Sequence, residues 1–261
     1  MAKVKADKKS VTFEKEDVGN DSDATGDIGD TSVPSSTNAK DSDTLKKERE
    51  EDLVIQGQIP KLKYSLLTVP YHNLLVLGGM FYYGLTEDIN TVLFNGLISL
   101  ISIEVIYNYV AYGNIKVTKK KKVDNTNVPL LIGGSIITSI ILSIPLFVVI
   151  IIFGAPLTNY LQQTILLSLH LSVILFNPLL ISFKFDLNQF LLVFKANKIY
   201  RLIFSHAVLS SSFGIIIGTW FGVVPIPLDW DRPWQQWPLT LLVGGYVGSI
   251  VGGLVSPLVT F

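Results

Sequence analysis

PLLIGGSIITSIILSIPLFVVIII, residues 129–152, contains no charged side chain. Wound as a helix at ~1.5 Å per residue, it is long enough to cross the ~30 Å hydrocarbon core of a bilayer. Working outward from it, five further apolar stretches occupy residues 64–84, 90–112, 160–183, 202–224 and 239–261. In lipid every backbone N–H and C=O must be paired within the segment or its neighbours, so spans of this kind are helices. The pattern predicts an all-α membrane protein with six transmembrane helices over residues 53–261.

The remainder of the chain has the opposite character. Residues 1–52 hold nine Lys and Arg against fourteen Asp and Glu, with Phe13 as their one aromatic residue. Such a segment buries too little apolar surface to offset the entropy of ordering, and it reads as a disordered tail. No apolar run follows the charged start before Leu53, so the tail does not have the form of a signal peptide. The net charge is zero and cysteine is absent. Whole-chain attraction to nucleic acid, disulfides and thiolate metal sites are thereby set aside.

The loops alternate in charge. On one side stand Lys61, Lys63, Lys116, Lys119 to Lys122, Lys184, Lys195, Lys198 and Arg201; on the other, Arg232 with Glu87, Asp88, Asp229 and Asp231. The excess of Lys and Arg on the first side predicts that both termini lie in the cytosol. Two loops on the opposite side are distinctive. One is Phe153-Gly154-Ala155-Pro156; the other runs from Pro225 to Pro238 and holds Trp230, Trp234 and Trp237 of the four Trp in the chain. Trp suits the membrane interface, where its ring is apolar and its N–H meets a polar partner. Within the second loop, Asp229, Asp231 and Arg232 admit two readings. Arg232 offers a bidentate fork to a phosphate, or the charges form a latch that fixes the loop. Both loops begin Pro-Leu and reach a Gln pair (Gln162-Gln163; Gln235-Gln236). Spans three and four, and five and six, therefore read either as duplicated helical hairpins or as chance similarity in apolar sequence.

Inside the spans, Glu104 stands near mid-membrane, where a bare carboxylate is expensive. It must be protonated, face the bundle interior or find a partner. By depth His170 is the candidate, with His72 and His206 less well matched. Gly214, Gly218 and Gly222 recur every fourth residue, as do Gly244, Gly248 and Gly252. That spacing lines one helix face with small residues and lets two backbones approach closely. Gly245, Ser249 and Gly253 form an adjacent strip with room for a second subunit. Paired His ligands, a nucleophile elbow and a Gly-rich phosphate loop are all absent, so no catalytic residue, metal or cofactor is expected.

Several segments resemble the PIG-F family: Thr68-Val69-Pro70-Tyr71-His72, Phe153-Gly154-Ala155-Pro156-Leu157, Leu167-Ser168-Leu169-His170, Asp229-Trp230-Asp231-Arg232, Trp234-Gln235, Trp237-Pro238 and Gly244-Gly245-Tyr246. The resemblance covers about residues 60–261, and the acidic, Lys-studded tail looks like that of a fungal-type member. It implies a multi-pass protein of the endoplasmic reticulum membrane without activity of its own. The implied role is to bind and stabilise large glycosylphosphatidylinositol (GPI) ethanolamine-phosphate transferases, which modify the second and third mannoses of the anchor precursor. Two other readings compete with it. One is a small lipid transporter or scramblase with Glu104 and His170 in a polar path. The other is a lipid-phosphate enzyme using Asp229, Asp231 and His170, which the depth of His170 in its span disfavours.

Overall fold

The computed structural model describes residues 37–62, 68–113, 115–116, 126–156, 158–228 and 232–259. The chain divides into Met1–Ser42, of which only the start of one helix is described, and Asp43–Phe261, which holds everything that follows. Helix α1 spans Thr37–Gln58. Residues 37–52, read from composition as part of a disordered tail, are thus helical. Lys46 with Glu50 and Lys47 with Glu51 stand four apart, a spacing that favours helix. The end of α1 is tied down: the Asn197 N–H donates to Asp52 Oδ1 at 2.9 Å. The rest of the expected tail, residues 1–36, lies outside the described residues.

Helices α2 (His72–Tyr82), α3 (Ile89–Gly113), α4 (Val128–Ile152), α5 (Leu161–Ser182), α6 (Leu187–Lys195), α7 (Ile199–Ser205), α8 (Ala207–Phe221) and α9 (Leu239–Val259) follow. Four of them, α3, α4, α5 and α9, are long and apolar enough to cross a membrane; α7 and α8 together make a fifth candidate, bent by 104°. The apolar pattern predicts six unbroken spans, and two of these take another form. The first expected span yields only the eleven residues of α2, about 16 Å at the helical rise. Pro70 lies just upstream, and a residue preceding proline is pushed out of the helical region. The fifth is broken at His206, whose extended backbone (φ −108°, ψ 113°) caps α8. The Leu209 N–H donates to His206 Nδ1, and Nε2–H donates to the Pro60 carbonyl at 3.0 Å.

A short antiparallel pairing of β1 (Lys61–Leu62) with β2 (Ile115–Lys116) sets Lys61 opposite Lys116. It fixes one end of the molecule. Residues 62 and 115 are neighbours there, while α2 and α3 meet at the turn 83–88, and the segment from Thr68 onward runs beside α3, with Tyr107 bonded to Thr68 and Glu104 to His72. Ile59, Phe183, Val193, Leu202 and Leu209 pack together at the β end, and the connections bearing Lys184, Lys195 and Lys198 adjoin this cluster in sequence. Around mid-bundle, Leu93, Leu100, Leu167, Val173, Leu242 and Tyr246 form the main apolar core; Ile89, Ala155 and Trp237 close it at the opposite end.

Candidate functional site

Three arrangements bring the sequence-predicted residues together or apart: a polar core, a glycine seam and a loop cluster at one end.

The polar core is built around Glu104, which is fully buried. His72 Nε2 lies 3.0 Å from Glu104 Oε1. The amides of Asn108 and Asn177 donate to Oε2 at 3.1 and 3.3 Å. One carboxylate therefore joins α2, α3 and α5. The imidazole of His72 also rests on the Tyr107 ring, 4.3 Å between centroids, and Tyr107 OH donates to the Thr68 carbonyl at 2.7 Å. His170, the expected partner, is engaged elsewhere. Its Nε2 lies 2.9 Å from the Leu93 carbonyl, which can only accept, so Nε2 carries the proton. In the neutral ring Nδ1 then accepts from Tyr246 OH at 2.7 Å. His72, the first residue of α2, takes the place expected for His170, whose two ring nitrogens are held by Leu93 and Tyr246. A second thread ties α2 to α9: Asn73 Nδ2 donates to Ser249 Oγ at 2.9 Å, and Ser249 Oγ donates to the Tyr246 carbonyl at 2.6 Å.

The glycine seam joins α8 to α9. A Cβ on Gly218 would overlap the Gly244 carbonyl; one on Gly214 would strike Gly248, and one on Gly222 would strike Thr240. Gly252 meets the Ser210 backbone in the same way. Ser210 Oγ and Ser211 Oγ donate across the seam to Gly252 O and Ser249 O at 2.6 and 2.7 Å. The adjacent strip is also consumed within the chain. Gly245 faces Leu171 and Thr219, Gly253 faces Val69 and Pro70, and Ser249 is buried. The room for a second subunit expected there is filled by α2's approach segment and α5.

At the end away from the β pairing, the two distinctive loops come together. Phe153-Gly154-Ala155-Pro156 is a helix stop. Gly154 takes φ +98°, which a side chain disfavours, and the N–H groups of Gly154 and Ala155 return to Ile151 O and Ile150 O at 2.8 and 3.2 Å. Thr164 then links the loops: its hydroxyl reaches the Tyr160 and Pro156 carbonyls and accepts the Trp237 Nε1–H at 3.0 Å. In the second loop Gln235 is the organiser. Its amide N–H groups donate to the carbonyls of Pro225 and Leu228, each at 2.9 Å, and its Oε1 accepts the Arg232 N–H at 2.9 Å. Arg232 and Trp234 are exposed. Asp229, Trp230 and Asp231 lie outside the described residues.

Sequence reasoning missed His72, Asn108, Asn177, Tyr246, Thr164 and Gln235 as the groups that do the tying. The one signal available was polarity at apolar depth: Asn108 lies four residues after Glu104 on the same helix face. No group of three or more potential metal ligands occurs among the described residues.

These features define a polytopic helical membrane protein held together by buried polar ties and close glycine packing. The chain matches the GPI biosynthesis protein family Pig-F over residues 68–257, well over half its length, and belongs to that family. It is 51% identical over 221 residues to glycosylphosphatidylinositol anchor biosynthesis protein 11 of Candida albicans, covering 78% of this chain and 83% of the relative. The Debaryomyces hansenii protein of the same name is 45% identical, with 77% and 86% covered. The Saccharomyces cerevisiae one is 32% identical, with 80% and 86% covered. No solved structure matches the chain.

Proposed function

We propose that this chain is a non-catalytic subunit of GPI-anchor biosynthesis, which binds and stabilises the ethanolamine-phosphate transferases acting on the second and third mannoses. It resides in the endoplasmic reticulum membrane with both termini cytosolic. Family membership supports the pathway. The observation that carries the subunit role is the engagement of the buried ionisable groups in bonds between helices. Both oxygens of Glu104 and both ring nitrogens of His170 are taken up this way. Groups locked by their neighbours hold a shape; they are poorly placed to exchange protons with a substrate. Binding the folded transferase stabilises it by mass action, so removing this chain lowers the abundance of its partner.

The test is to purify the tagged chain in mild detergent and identify by mass spectrometry what accompanies it. A transferase at near-stoichiometric yield is the expected result. A chain that purifies alone, and moves lipid in liposomes in a manner lost with Glu104→Leu, overturns the proposal in favour of a transporter. Within the complex, Asp229→Ala or Arg232→Ala weakens assembly more than substitutions in the tail, residues 1–52; unchanged co-purification of both variants removes the loop from the interface.

A further inference from the structure

The helices present unlike faces to the lipid. α4 turns its serines inward and shows apolar residues outward, among them Leu130, Ile137, Ile141, Ile144 and Val148. Over the α8–α9 seam runs a groove of about 690 Å³, floored by glycine and walled by residues such as Phe213, Ile217 and Phe221. Acyl chains suit a surface walled so largely by apolar side chains.

A second groove, about 600 Å³, lies between α2 and α3 and differs in kind. Its α3 wall carries Asp88 at the mouth and then Thr91, Asn95 and Ser99, four residues apart, descending about 16 Å along the helix axis. The Ser99 hydroxyl returns to the Asn95 carbonyl at 3.0 Å. The exposed Asn95 carboxamide has no such return and bonds to no other side chain among the described residues. Away from the helix ends, it is the one exposed amide side chain on the membrane helices among those residues. The facing wall on α2 includes Gly79, where an added Cβ would meet nothing within 4 Å; the same holds for Gly78. Hydrocarbon offers an amide neither donor nor acceptor, and the lining holds no basic group for a lipid phosphate. A helix backbone can approach a glycine closely and bring a hydrogen-bonding group with it.

We infer that the α2–α3 face is the docking surface for a transmembrane helix of the transferase, one that sets small residues against Gly79 and a polar group against Asn95. The inference rests on the subunit reading above and names the surface it uses.

The experiment employs the full chain in native membranes, with a photo-crosslinking residue in place of Leu75 on the groove wall or, separately, of Ile144 on α4. The transferase is expected to crosslink from Leu75 and not from Ile144. Gly79→Leu, which fills open space and not the core, reduces co-purified transferase by about tenfold or more, and Asn95→Leu by about three- to tenfold. The melting temperature of the isolated chain stays unchanged in both. If the transferase co-purifies with the wild type but Leu75 yields only lipid adducts and both variants retain full yield, the face is wrong and the subunit reading stands. If the wild type retains no transferase, that reading fails and the docking surface fails with it.

Discussion

Two antiparallel hairpins in this bundle solve one packing problem differently. α8 and α9 meet through glycine, backbone against backbone, whereas α4 and α5 meet through serine. Ser135, Ser139 and Ser143 recur every fourth residue on the buried face of α4, opposite Ser168 and Ser172 of α5. Ser172 Oγ donates across to the Ser139 carbonyl. The other serine hydroxyls bond within their own helix, Ser135 to Ile132 O at 2.8 Å and Ser168 to Ile165 O at 2.7 Å. A glycine seam has no side chain to yield when something larger arrives. The serine seam keeps a Cβ at every position and, Ser172 apart, satisfies its hydroxyls within the same helix, so it tolerates change. In lipid, where tails are as apolar as leucine, closeness of approach and hydrogen bonds supply what the hydrophobic effect does not.

The sharpest break of this comparison is Gly218→Leu. Its side chain has to displace the Gly244 backbone, and we expect a loss of at least ~3 kcal/mol, read as failure to accumulate a monodisperse protein in detergent. Next comes the polar core that both hairpins lean on. Glu104→Leu leaves His72, Asn108 and Asn177 without their common acceptor and costs ~3–5 kcal/mol by analogy with a broken buried pair. Glu104→Gln, which keeps the volume and one acceptor, costs less, and thermal unfolding of the two variants orders them. If both melt alike, the carboxylate is not the organising group. Gln235→Leu follows at about 1–3 kcal/mol, since it strips two loop carbonyls of their donor; faster hydrogen exchange confined to residues 225–238 reads it out. The smallest effect belongs to the serine seam: Ser172→Ala costs about 0.6 kcal/mol. A Ser172→Ala loss as large as that of Gly218→Leu would erase the distinction between the hairpins.

Much of this was legible from the amino acids. Apolar length announced α3, α4, α5 and α9, and the four-residue glycine repeats announced faces of close approach without saying which helices would meet. The segment at Phe153–Pro156 was legible as a loop; that Gly154 stops the helix, in a backbone region only glycine enters freely, was not. The serine seam passed unnoticed although its spacing equals that of the glycines. The pairing of Glu104 was misread although the count itself favoured His72: in the expected spans 64–84 and 90–112, His72 and Glu104 each lie eight residues from the same side. His206 interrupts a stretch whose hydropathy is continuous, since hydropathy registers apolar length and not the backbone bond that a ring nitrogen makes.

The sequence by itself determined that this chain lives in a membrane, that its helices contain close contacts and that its core holds a carboxylate needing partners. Those properties follow from local composition and from the cost of bare polar groups in hydrocarbon. Only the tertiary structure decided which partners meet. The bonds from Glu104 to His72 and Asn177, from His170 to Tyr246 and from Trp237 to Thr164 join residues 32 to 76 positions apart. Their formation depends on where each helix starts, bends and stops relative to its neighbours.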